Sequence, residues 1–365
     1  MIQNTFCINQ NTKENFFMKF IHIADIHLGA KPDKEKPWRK ERERHNWRAL
    51  SEVIRTAKAE QVQLLLIAGD LFHRQPLIQE LREIDYQFSR IPQTRVVVIA
   101  GEHDYLSPHS GYLTFPWGEN VHFLTKEKID YVELEGLETR VYGLSYCHKN
   151  IDAPLYHDIE IKDGNFCNIL LAHGGDEQHI PFESNDFADS AFDYVALGHI
   201  HKPMEIVKNK VVMAGALQPI DCNDTGEHGY FMGEIKDGEC QVQFVPLRYC
   251  EYVPLNLKVS REISQSALEE FVASRIRVAP EHQKFRIVLN GFCDRTAPVD
   301  PEKIMSMDRV ARVINRCHAD YDFEKLKLQY EKQILGQYIQ KLEEMTQDEI
   351  TKKALYYGVE ALMEE

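Results

Sequence analysis

Leu64, Leu65, Leu66 and Ile67 form an unbroken apolar run that ends in Ala68-Gly69-Asp70, and a run of that kind reads as a strand buried on both faces. The same pattern returns four more times, and it limits the possible fold more than any other feature. Lys19 to Ala24 leads into Asp25-Ile26-His27-Leu28-Gly29, and Arg95 to Ala100 into Gly101-Glu102-His103-Asp104. Asn168 to Ala172 ends in His173-Gly174, and Phe192 to Leu197 in Gly198-His199-Ile200-His201. In open α/β sheets ligands bind just beyond the carboxyl ends of the strands, where glycine lets the chain turn sharply. Residues two apart in an extended segment point the same way, so Asp25 and His27 can reach one ion.

Eight carboxylate and imidazole groups at five strand ends are about what two divalent ions need, and this donor mixture suits Mn(II), Fe(II) or Zn(II). Two ions about 3.5–4 Å apart are the usual apparatus for in-line displacement at phosphorus. Between the strands, Trp47, Leu50, Ile54 and Ala57 make one helical stripe, and Leu77, Leu81, Ile84, Phe88 and Ile91 make another behind Pro76. The segment from Lys31 to Arg48 holds eight Lys or Arg and four acidic residues; it reads as a solvated loop entering a helix, or as a phosphate-contacting rim beside the site.

At 365 residues the chain has room for two domains, or for one large domain with appendages. A net charge of -14 argues against a protein that coats nucleic acid or acidic membrane by bulk electrostatics, so a polyanion must be held locally or by a partner. The eight cysteines show no CxxC and no zinc-finger spacing, as expected of reduced thiols in a cytoplasmic protein. No apolar run is long enough to span a bilayer, and no signal-peptide core opens the chain. Residues 1–17 are rich in Asn and Gln and read as a disordered extension, with Met18 a second candidate start.

Short strands follow around Val121 to Leu124, Tyr131 to Leu134 and Arg140 to Leu144, with further strand signals at Val211 to Ala214, Tyr230 to Ile235 and Gln241 to Val245. From about Tyr249 the pattern changes. A strand at Tyr252 to Val259 precedes a helix with a Ser266–Glu269 capping box and an apolar stripe of Leu268, Phe271, Val272 and Ile276. Another strand, Phe285 to Leu289, completes what reads as a small α+β domain over 249–321. Two helices are expected at the end, Asp322 to Met345 and Thr346 to Met363, the second opened by Thr346 and Glu349. The phosphoesterase-type unit then occupies 18–248 and the terminal helices 322–365.

The series DIH, GDLFH, GEHD, LAHG and GHIH resembles the calcineurin-like metallophosphoesterases, whose motifs are D-x-H, GD, GNHD, a lone His and GHxH. FIHIADIHLG, AGDLFHRQP, DYVALGHIHKP and AGALQPIDCNDTGEHGYF are similar to the SbcD type, the nuclease subunit of SbcCD-like DNA repair complexes. The similarity runs from about Met18 to Val245. It implies a four-layer αββα sandwich with a small capping domain and a C-terminal helix pair. It also implies two divalent metal ions, with Mn(II) expected. Asp70 would bridge them, Asp25, His27 and His201 would complete one site, and Glu102, His173 and His199 the other. His103 would assist the leaving oxygen, His73 would lie near the scissile phosphate, and Asp104 would orient its neighbours. The nucleophile would be a hydroxide bridging the ions.

Glu102 departs from the motif, which has asparagine there. With Asp25 and Asp70 it leaves two divalent ions with a net charge of about +1, where asparagine would leave about +2. Tighter metal binding with weaker polarisation of phosphate is the expectation. The resemblance implies hydrolysis of DNA phosphodiesters in DNA end processing and repair, with a separate SbcC-like ATPase carrying the coiled coil, since no GxxxxGK[ST] pattern and no long heptad run occur here. It also implies that copies can pair through helices of the phosphoesterase domain. Two other readings remain open: a stand-alone phosphodiesterase for small substrates, against which roughly 115 further residues stand, and a metal-holding scaffold of low activity, which Glu102 favours.

Overall fold

A computed structural model describes residues 16–363 other than 158, 163, 184, 185, 295, 346 and 347. Most of the expected N-terminal extension and the Thr346 cap fall outside the described residues. The chain divides into two compact units, 1–251 and 252–365. The first contains β1 (Phe17–Ile23), α1 (Arg39–Ala59), β2 (Leu64–Ala68), α2 (Ile78–Ser89), β3 (Arg95–Ile99), α3 (Gly111–Thr114), β4 (Val121–Phe123), β5 (Asp130–Leu134) and β6 (Thr139–Gly143). It continues through β7 (Cys167–His173), β8 (Tyr194–Gly198), β9 (Met204–Val207), β10 (Val211–Met213), β11 (Gly229–Lys236) and β12 (Glu239–Pro246).

These strands build two six-stranded sheets, ordered β12-β11-β1-β2-β3-β4 and β5-β6-β7-β8-β10-β9. Within the first, β1 to β4 run parallel and β11 and β12 are antiparallel at the edge. In the second, β6, β7, β8 and β10 are parallel, with β5 and β9 antiparallel outside them. The sheets meet face to face: Phe20, Leu64, Leu66, Val97 and Ile99 pack with Val141, Ile169, Leu171, Tyr194 and Ala196 in one core. Alternation sends Ile21, Ile23, Leu65, Ile67, Val96 and Val98 to the other face of the first sheet, where Leu50, Val53 and Ile54 of α1 and Leu81, Ile84 and Phe88 of α2 cover them. The outer face of the second sheet is covered by irregular segments instead, through Tyr146, Ile151, Tyr156, Ile180 and Phe187. Among the described residues of 144–193 there is no helix.

The second unit contains β13 (Glu251–Val259), α4 (Gln265–Val278), β14 (Gln283–Cys293), α5 (Pro301–Met305), β15 (Val310–Ala319), α6 (Phe323–Gln329), α7 (Ile334–Glu343) and α8 (Glu349–Met363). Its three strands are ordered β13-β14-β15. The cap of α4 is Ser264, whose side chain accepts from the Ala267 amide; Ser266 lies inside the first turn. Phe271 is exposed rather than core, with Arg275 over its ring, because Leu268, Val272 and Ile276 alone fill the stripe that faces the sheet. The expected helix over Asp322 to Met345 is broken between α6 and α7. The break folds Leu326 against Leu335 and Ile339, and Leu355 and Val359 of α8 join them, a burial that one straight helix could not achieve.

Among the described residues no helix is long and apolar enough to cross a membrane. Between the two sheets, His22 is fully buried with Nδ1 3.0 Å from the Tyr194 hydroxyl. Burial lowers its pKa from 6.5 to about 3. The folded state therefore keeps His22 neutral while the unfolded chain takes up a proton below about pH 6.5, so its contribution to stability is lost as pH falls towards 3, by up to ~1.4 kcal/mol per unit. Between pH 7.5 and 5, His22→Gln should lose about 2 kcal/mol less stability than the unaltered protein in urea unfolding; equal losses would show that His22 is not the sensitive group.

Candidate metal centre

The carboxyl ends of β1, β2, β3, β7 and β8 converge at one rim of the paired sheets. The segment after β1 runs beside the segment after β2 through His27 N to Asp70 O (3.0 Å), Leu28 N to Leu71 O (3.0 Å) and His73 N to Leu28 O (3.0 Å). Asn46 of α1 steadies it by donating to the carbonyls of Ile26 and His27. Asp25, His27, Asp70 and His199 all have positive φ, of 48°, 46°, 50° and 97°, a conformation that costs non-glycine residues of order 1 kcal/mol or more each. Strain of this kind concentrates where side chains must be aimed.

Several groups of three ligand atoms within 4.8 Å of one another result, among them Asp25, His27 and His201; Glu102, His173 and His199; Asp25, Asp70 and His173; and His27, His73 and His103. Asp70 is central. Its Oδ1 accepts from the His103 amide at 3.0 Å, while its buried Oδ2 has no hydrogen-bond partner. That oxygen lies 3.8 Å from His27 Nε2 on one side and 3.8 Å from His173 Nε2 on the other. His27 Nε2 in turn faces His201 Nε2 at 3.1 Å. Glu102 reaches His173 Nε2 at 2.6 Å with Oε2 and His199 Nδ1 at 3.1 Å with Oε1.

The electrostatics call for positive charge. Burial, and then the carboxylates of Glu102, Asp104 and Asp25, push Asp70 well above the usual carboxylate range. Against the burial that would raise it, His173 and His199 hold Glu102 far below that range. Burial and the neighbouring His201, His103 and His73 lower His27, keeping it the neutral imidazole that a metal ligand must be. An orphaned carboxylate oxygen between two imidazole nitrogens, with a mixed Asp, Glu and His donor set on either side, fits a pair of divalent cations.

Glycines keep this space open. A Cβ on Gly69 would lie 2.2 Å from the His173 ring, and one on Gly101 would lie 2.3 Å from Asp70 Oδ1 and 2.6 Å from His173 Nε2. The Ala68 carbonyl, 2.7 Å from His173 Nδ1, fixes the proton there and turns Nε2 inward. Asp104, also expected from the sequence, is fully buried and accepts from the amides of Gly101 and Phe72 and from the Tyr112 hydroxyl (2.7 Å), tying the loop after β3 to the loop after β2. His103 and His73 stack with ring centroids 4.8 Å apart at the solvent side, and His103 Nδ1 lies 3.2 Å from the His73 carbonyl.

Of the Lys31 to Arg48 run, Lys31, Lys34, Arg39, Lys40, Arg44 and Arg48 are exposed. Arg42 is not part of a rim: it is buried and donates to the Pro219 carbonyl, because α1 turns it inward. Sequence reasoning missed Asp176, Asp224 and Tyr112, each of which touches a site residue. Asp176, three residues beyond His173 at the same strand tip, carried a positional signal, and Asp224 lay within the stretch AGALQPIDCNDTGEHGYF singled out above; Tyr112 carried none.

Residues 18–203, which hold all ten of the residues expected from the sequence, match the model of the calcineurin-like phosphoesterases. The chain belongs to that family. Members of this calcineurin-like family are metal-dependent phosphoester hydrolases. The uncharacterized metallophosphoesterase YhaO of Bacillus subtilis (strain 168) is 27% identical over 304 residues, which cover 77% of this chain and 72% of that protein. The crystal structure of the calcineurin-like phosphoesterase YfkN from Bacillus subtilis aligns with 63% of this chain and 89% of its own at 13% identity, with a TM-score of 0.31.

Gly101→Ala tests the packing of the site. It should displace Asp70 or His173 and cut phosphoesterase turnover about 100-fold, as misplacement by an ångström does, with the far-ultraviolet circular dichroism unchanged. Full activity in that variant would show that the glycine contact is not limiting.

Proposed function

We propose that this chain is a dinuclear metal-dependent phosphodiesterase that acts on DNA, as the nuclease subunit of an SbcD-type pair with a separate coiled-coil ATPase. The observation that carries the metal assignment is the unpartnered Asp70 Oδ2 midway between His27 and His173. Asp70 would be shared by the two cations, with Asp25, His27 and His201 holding one and Glu102, His173 and His199 holding the other. Mn(II) is the proposed ion. When bound, the pair would lower the pKa of a water and offset the charge of the phosphate. His103, partly exposed beside Glu102, stands where it can give a proton to the leaving oxygen. His73 backs it by stacking.

DNA is favoured over a small diester by the exposed basic residues that begin at Lys31. The charge of Lys34 is felt at His73, whose pKa falls through burial, then His103 and His201, then Lys34. Those cations give a local foothold for a polyanion in a chain of net charge -14. The ATPase would dock on apolar side chains that α6 to α8 leave exposed, Leu328, Ile334, Ile350 and Tyr357. A second copy of the chain would pair through helices of the first unit.

In Mn(II), the purified chain should hydrolyse both linear duplex DNA and a small chromogenic phosphodiester, and His103→Ala should slow both by about 10²–10⁴-fold. Cleavage of the small diester alone would mean that the metals work but that DNA needs the separate ATPase. Bound metal with neither reaction would make the chain a scaffold. Glu102→Asn should bind metal more weakly and turn over faster, since it removes one negative charge between the cations and the phosphate. Unchanged metal content and rate would remove Glu102 from the account.

A further inference from the structure

Two carboxylates outside the cluster grip the far nitrogens of two of its histidines. Asp176 Oδ2 lies 2.8 Å from His199 Nε2, and Asp224 Oδ2 lies 3.1 Å from His201 Nδ1. The near nitrogens face inward: His199 Nδ1 stands 3.1 Å from Glu102 Oε1, and His201 Nε2 stands 3.1 Å from His27 Nε2. Each ring thus spans from the cluster to an outer aspartate, and the two rings do so in opposite senses. A carboxylate can only accept, so each aspartate holds an N–H on the outer nitrogen; at His199 a cation on the inner nitrogen would take the place of the proton that Glu102 Oε1 otherwise draws to Nδ1.

Both aspartates are themselves fixed. Asp176 Oδ1 accepts from the Gln178 amide and from His179 Nδ1, each at 2.8 Å. Its loop turns through Gly174 and Gly175, with φ of 140° and 122°, and a Cβ on Gly174 would lie 2.3 Å from the His179 carbonyl oxygen. Asp224 Oδ2 accepts from the amides of Ile220 and Asp221 at 3.0 and 3.2 Å. Buried Arg42 holds the Pro219 carbonyl at the start of that loop. At His173 a backbone carbonyl does the same service; at His199 and His201, which sit on loops beyond β8, side chains do it.

We propose that Asp176 and Asp224 are positioning residues that fix opposite tautomers, so that His199 offers Nδ1 and His201 offers Nε2 to the two cations. This rests on the metal assignment above. Asp176, His179 and His199 also present three ligand atoms within 4.8 Å of one another, so direct coordination by Asp176 is the rival role.

The test uses the full chain loaded with Co(II), followed by metal analysis, chelator competition and proton NMR of the paramagnetically shifted, exchangeable imidazole N–H signals. Asp176→Ala and Asp224→Ala should each weaken Co(II) binding about 10–100-fold and remove one such N–H signal, His199's and His201's respectively. Asp176→Asn and Asp224→Asn, which keep an accepting oxygen and the shape of the loop, should recover most of the affinity and the signal at two equivalents of metal. Unchanged affinity in the alanine variants overturns the positioning role, and loss of one equivalent in Asp176→Asn makes Asp176 a ligand instead. An unaltered chain that binds no Co(II) overturns the metal assignment itself, and this inference with it.

Discussion

Everything at the rim of the two sheets turns on the crowding of negative charge around Asp70. Asp25, Asp70 and Asp104 are buried and Glu102 nearly so, and like charges brought together away from water repel one another strongly unless protons or cations intervene. Asp104 is satisfied by three donors. Asp70 is not: its Oδ2 has no hydrogen-bond donor and faces the imidazoles of His27 and His173 instead. A fold that needed only to be stable would have no reason to gather these groups; the sheets bear the cost because they are long, apolar and sealed on both faces.

The ability to bear it comes from ordinary packing. β2 lies between β1 and β3 in the first sheet and is buried along its whole length, so the position of Asp70 is fixed by strand register and not by a mobile loop. The second sheet brings His173 and His199 from β7 and β8, which are neighbours. Loop side chains then only trim what the strands have placed. Tyr146 and Tyr156 bind the His173 carbonyl, and Tyr112 braces Asp104.

The five strands and the residues at their tips were legible in the sequence because a strand buried on both faces leaves a continuous apolar run, and its end is marked by the first polar residue. Met204–Val207 and Val310–Ala319 were missed for the converse reason: the first is largely exposed and the second only half buried, so neither shows a clean run. Asp176 lies in a polar loop and Asp224 in a motif that also holds Asp221, and which aspartate serves a histidine shows only once the fold brings them together. The break between α6 and α7 was hidden because Leu326, Tyr330 and Ile334 keep helical i, i+4 spacing across it; what decides the break is burial of Leu326 with Leu335, Ile339 and α8, a tertiary effect.

The pairing of β1 with β11 carries a consequence for the protein's synthesis. Met18 lies opposite Ile235 in that ladder, so the strand that delivers Asp25 must wait for about two hundred further residues before both its neighbours exist. The non-local order of these contacts makes assembly late and cooperative. The candidate metal centre, which draws on the ends of β1, β2, β3, β7 and β8, is thereby completed only once most of the first unit has been made.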